Sequence, residues 1–125
     1  MNKTSKIFVI YGAIFMALSV AIGAFGAHIL KNLLSKDMMA VYHTGVEYQV
    51  YHSLGLFAVA FVSNFQNNKK VKFSGYFMIL GIILFSGSLY LLSITEVRWI
   101  GMITPAGGVC FIIAWILLAL GMKSK

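Results

Sequence analysis

Charged positions are sparse along this chain, and they divide its apolar positions into four runs. No charge falls between Ile7 and Leu30, Tyr48 and Asn68, Phe73 and Thr95, or Trp99 and Met122, stretches of 24, 21, 23 and 24 residues. A helix rises about 1.5 Å per residue and the hydrocarbon core of a bilayer is about 30 Å thick, so roughly 20 residues cross it once. Each run is long enough for one crossing and none for two. The runs are continuous rather than alternating, which excludes a barrel of short strands and leaves the helix, whose amides are satisfied within the segment. The pattern predicts an all-α membrane protein: one domain over residues 1–125, with four transmembrane helices in a compact bundle, spanning about 7–27, 45–65, 73–94 and 100–121. The second helix is expected to begin earlier. Ser35 suits an N-cap and Asp37 the first turn, where the helix dipole favours an anion, so one helix should run from about Lys36 to about Asn64.

Composition agrees with the pattern. The chain is 60% hydrophobic and 10% charged, with a mean hydropathy of +0.89. A soluble domain is about 25% charged, so this chain cannot cover a water-facing globule. The same hydrophobicity excludes disorder, and the length excludes two large domains. A single cysteine, Cys110, cannot form an internal disulfide. The formal charge of +7 is a topology signal. Lys3, Lys6, Lys69, Lys70, Lys72, Lys123 and Lys125 fall on one side if all four runs cross. Lys31, Lys36 and Arg98 fall on the other, with all three acids, Asp37, Glu47 and Glu96. Seven basic residues against three place both termini in the cytoplasm. No basic cluster exceeds three lysines, so nucleic-acid binding is not expected. Ala24-Phe25-Gly26-Ala27 loosely fits a signal-peptide cleavage site, but the apolar run before it exceeds the usual length and the span is expected to be retained.

The polar residues within the runs carry the candidate chemistry. Counted from the span ends, Glu47, Tyr48, Gln49 and His52 of the second span, Ser86 and Ser88 of the third and Thr104 of the fourth reach one level in the outer leaflet. His28 closes the first span at the same side, and the inner halves read as almost purely apolar. Ionisable groups at membrane depth usually face a bundle interior or water, so these eight residues are expected to line one outward-facing polar crevice, with His28 at its mouth. The alternative is a dry bundle in which each polar group bonds a neighbouring helix. Glu47 and His52 lie about 140° apart on the helix, which argues against a compact metal site. No metal, cofactor or catalytic set is expected. Gly12, Ser19, Gly23 and Gly26 share a face of span one and are expected to admit a close neighbour. Thr104-Pro105 fits either the start of a helix, with free amides after it, or a proline kink.

Four strings taken together are specific: Gly23-Ala24-Phe25-Gly26-Ala27-His28, Tyr48-Gln49-Val50-Tyr51-His52, Phe85-Ser86-Gly87-Ser88-Leu89-Tyr90 and Ile103-Thr104-Pro105-Ala106-Gly107-Gly108. In this order the chain resembles the YgdD/YwdK-like family of small bacterial integral membrane proteins, domain of unknown function 423. The resemblance implies a multi-pass protein of the bacterial cytoplasmic membrane and supplies no catalytic residues. The expected function is that of a structural or auxiliary membrane component. The alternative is a lipid or small-solute binder or transporter using the outer-leaflet crevice. The lipid bilayer is the expected partner, with a homo-oligomer or larger membrane complex left open.

Overall fold

The computed structural model describes residues 1–123, and Lys125 lies outside the described residues. It is all-helical. Helix α1 (Lys3–His28) leads through a short 3₁₀ turn, Leu30–Asn32, to α2 (Lys36–Ser63). Helix α3 (Lys69–Gly81) continues through a π-helical segment, Ile82–Ser86, into α4 (Gly87–Thr95), so that the three make one rod. A second 3₁₀ turn, Arg98–Met102, precedes α5 (Thr104–Lys123). By length and composition, Lys3–Asn32, Lys69–Thr95 and Arg98–Lys123 can cross a membrane.

Local chemistry sets the helix ends. The side chains of Asn2, Ser35 and Asn68 each accept from the amide three residues on, at Ser5, Met38 and Val71, and so satisfy an amide that the first turn leaves free. The expected start of α2 at Ser35 is therefore found, and its end falls at Ser63, one residue short of the expected one. Helix α4 stops at Glu96, the one non-glycine residue with positive φ among those described (56°), whose amide returns to the Leu92 carbonyl.

Side-chain bonds fix how the rods lie. Between α1 and α2, Asn2 donates to the Ser63 carbonyl, Gln49 to that of Phe15 and Tyr42 to that of Ile22. Residue numbers rise on one helix as they fall on the other, so the pair is antiparallel. Asn68 to Gly121, Ser74 to Ala114 and Ser88 with Thr104 set α5 antiparallel to the α3–α4 rod in the same way. Helix α2 touches both pairs. Phe8, Leu56, Val59, Val71, Met78, Ile82, Phe111 and Ala114 form the core where the rods meet. Lipid tails are as apolar as these side chains, so close packing and hydrogen bonds, rather than expulsion of water, hold such helices together.

Close packing depends on small residues. Of the four residues on the shared face, Gly12, Ser19 and Gly26 are buried along α1 and Gly23 is half-buried, with Gly12 against Ser53 and Leu56 and Gly26 against the Tyr42 ring. The tightest approach to another helix's backbone is at Gly107. A Cβ there would sit 2.3 Å from the Phe85 backbone nitrogen, inside the π segment.

Candidate functional site

The candidate residues separate into bonded groups. Gln49 is buried on the inner face of α2. Its Nε2 donates to the Phe15 carbonyl (2.7 Å) and its Oε1 accepts from the Tyr90 hydroxyl (2.6 Å), so one amide ties α1, α2 and α4. Ser86 donates to the Gly45 carbonyl at 2.7 Å. Ser88 and Thr104 meet hydroxyl to hydroxyl at 2.6 Å, joining α4 to the first residue of α5.

His52 lies beside these in an aromatic wall. It is 5% exposed and stacks on Phe111 with ring centroids 3.5 Å apart and planes 8° apart. The Trp115 indole N–H donates to its Nε2 at 3.0 Å. An indole nitrogen can only donate, so Nε2 carries no proton. The proton is on Nδ1, which donates to the Tyr48 carbonyl at 2.8 Å. Both ring nitrogens are occupied, and the imidazole faces inward. Tyr48 covers the outer edge of the wall, 4.6 Å from the Phe85 ring centre.

Glu47 and His28 do not join these groups. Both are exposed, His28 at the end of α1 and Glu47 on the outer face of α2. Among the described residues, no three of His, Cys, Asp or Glu come together to hold a metal ion. No buried side-chain nitrogen or oxygen among them lacks a partner. The amides after Pro105 are not free: those of Ala106 and Gly107 both turn back to the Ile103 carbonyl. Regular helix begins at Thr104, as the helix-start reading of Thr104-Pro105 predicts, but the Thr104 hydroxyl turns to Ser88.

Two open hollows flank α4. One, of about 550 Å³, lies between α4 and the turn before α5, with Ile83, Leu84, Leu91, Trp99, Ile100 and Ile103 among its walls. The other, of about 250 Å³, is lined by Phe15, Leu18, Ile22 and Ile82 together with Gln49 and Tyr90. Both walls are apolar almost throughout, because the polar atoms at this level are turned into the bonds just described.

Several partners have no signal in the sequence runs. Trp115 and Tyr90 complete the bonds of His52 and Gln49 from other helices. Toward the opposite end, outside the candidate level, Ser5 accepts from Asn64, Ser74 bonds α5 and Asn68 bonds the Gly121 carbonyl. Serine in an apolar run hardly lowers its hydropathy, so these bonds pass unnoticed in the pattern.

A family described as "Protein of unknown function (DUF423)" matches residues 22–108, which include all eight candidate residues. The chain belongs to this family. It is 50% identical over 114 residues to the UPF0382 membrane protein YwdK of Bacillus subtilis (strain 168), covering 90% of this chain and 93% of that one. It is 45% identical over 116 residues to the UPF0382 membrane protein SSP2132 of Staphylococcus saprophyticus, covering 93% and 96%. It is 38% identical over 118 residues to the UPF0382 inner membrane protein YgdD of Escherichia coli (strain K12), covering 94% and 90%. No solved structure matches. This DUF423 member is thus a small multi-pass protein of the bacterial cytoplasmic membrane, in contact with the lipid bilayer, and its activity is unknown.

Proposed function

We propose that this DUF423 protein is a structural or auxiliary membrane component, a single domain of four spans with both termini in the cytoplasm. The observation that carries the reading is the complete pairing of buried polar side chains among the described residues. A polar-solute site needs donors or acceptors that are free at a cavity. Here Gln49, His52, Ser86, Ser88 and Thr104 act as fasteners between helices, and the neighbouring hollows offer apolar walls. Helix α2 is not among the helices that length and composition alone mark as able to cross; Glu47, Gln49 and His52 lower its hydropathy. Gln49 and His52 are buried, and its bonds to α1 and α4 keep it level with rods that are apolar enough to span, so α2 crosses with them.

The fastener reading is tested by replacing Gln49 or His52 and following both fold and phenotype. Thermal stability in detergent and membrane abundance should fall together with any effect of deletion. Loss of a deletion phenotype's rescue by His52→Ala, at unchanged stability and abundance, would overturn it in favour of a ligand site. The topology is tested separately in intact cells. A membrane-impermeant thiol reagent should label cysteines placed at Asp37 and Glu96 and spare one placed at Lys70. Labelling at position 70 would overturn the orientation.

A further inference from the structure

A carboxyl group within hydrocarbon needs a partner, and such groups almost always face a neighbouring helix or water. Glu47 is placed under that demand. On α1 it is bracketed by the Gln49–Phe15 and Tyr42–Ile22 bonds. Phe15 stands nine residues after Lys6, about 13 Å along α1, and Ile22 stands six residues before the end of α1 at His28, about 9 Å. On the other side it is bracketed by the Gly45–Ser86 and Gln49–Tyr90 bonds, and Tyr90 is six residues short of Glu96, about 9 Å. By both neighbours Glu47 lies well inside the uncharged layer, and its side chain is too short to reach either surface. Yet it points out of the bundle, and no described residue bonds it.

Glu47 belongs to a continuous outer stripe of α2. His43, Glu47, Tyr51, Leu54, Ala58 and Phe61 are all exposed, at steps of three and four residues, the spacing of a helix-pairing seam. The stripe is self-complementary. An acceptor at Glu47 is flanked one turn above and one turn below by donors, His43 and Tyr51. We propose that this stripe pairs with the same stripe of a second copy. The two chains are related by a two-fold axis along the membrane normal, and Glu47 of each accepts from His43 or Tyr51 of the other. Two copies with the same orientation present these residues at the same depth, as an isologous interface requires. Ala58, further along the seam, lets the backbones approach. An acyl chain in the same place would leave two carboxyl groups unpaired. The inference rests on the four-span reading, which sets the depth of Glu47.

The test uses the full chain in native membranes, with its one cysteine replaced (Cys110→Ala) and single cysteines introduced. Under oxidation, Leu54→Cys and Ala58→Cys should form disulfide-linked dimers, while Ile112→Cys, 61% exposed on α5, should not. Co-expressed copies with two tag lengths should give a hybrid band; a crosslink without one means a different partner and overturns the proposal. In diluted liposomes, energy transfer should report dimerisation of Glu47→Ala weakened roughly 3–20-fold, the range of one or two interhelical hydrogen bonds. Glu47→Gln, which keeps an acceptor, should lose less. Glu47→Cys separates this inference from the span reading. If a water-soluble maleimide leaves it unlabelled and the stripe gives no crosslink, the dimer is wrong and the spans stand. If the reagent labels it from outside, the depth of α2 is wrong and the inference falls with it.

Discussion

Gln49 has both ends of its amide engaged by different helices, which makes it the residue whose loss should be felt most widely. Gln49→Leu should lower the stability of the detergent-solubilised protein by about 1–3 kcal/mol, since it removes two interhelical bonds and strands the Tyr90 hydroxyl. A double-mutant cycle with Tyr90→Phe should return a coupling of about 0.6–1.7 kcal/mol; additivity would mean the two side chains do not meet. Ser93 is the control, because its hydroxyl bonds the Tyr90 carbonyl within its own helix. Ser93→Ala should shift the unfolding midpoint little. At this scale the sequence foretold environment better than partnership. That His52 faces inward follows from the cost of an imaginary lipid-facing imidazole. That Trp115 bonds it depends on the register of α2 against α5, which no spacing within either helix contains. Glu47 and His28 have the same polar character as His52 but opposite exposure, because depth can be counted along a chain whereas the face turned inward is set by the neighbours.

At the scale of elements, helix limits were legible and helix irregularity was not. Ser35 begins α2 because a hydroxyl there can take a free amide, a rule that works within four residues. The π segment arises from another source. Its backbone bulges at Ile82–Ser86, with the Gly87 amide reaching back to Ile82, and Gly107 of α5 seats against Phe85 within it. Only Gly107 lacks a side chain at that contact, and the obstructing atoms are backbone, which cannot turn aside. Gly107→Ala should therefore destabilise the protein by about 2–3 kcal/mol, the upper part of the overpacking range. Gly108→Ala is the matched control, because its added methyl would meet only the Phe85 ring edge at 3.9 Å. Equal stability of the two variants, measured by thermal unfolding in detergent, would contradict the packing. The left-handed Glu96 makes the opposite prediction. Glycine adopts that conformation without the steric cost of a Cβ, and an acid at a helix C-terminus opposes the dipole. Glu96→Gly should raise stability by about 1 kcal/mol.

For the whole molecule, two sets of residues do separate work. Serines, asparagines, Gln49 and His52 tie the rods together from end to end, and they are silent about which way the assembly points. In the proposed topology the lysines at the ends carry the direction, and none of the interhelical bonds described above uses one. Orientation should therefore be alterable without loss of the fold. Lys69, Lys70 and Lys72 stand in the first turn of α3, and replacing all three with glutamine reduces the basic residues on the proposed cytoplasmic side from seven to four, against three opposite. A bias so small no longer decides the insertion of short-looped spans. A cysteine at position 37 should then be labelled from outside in only part of the population, where the parent chain is labelled throughout. The same variant, once solubilised, should unfold close to the parent's midpoint, because the Asn68, Ser74 and Ser88 bonds to α5 remain. Full outside labelling in the triple variant would mean that something other than these lysines sets orientation. A collapse in its unfolding midpoint would mean that the two sets of residues are not separate.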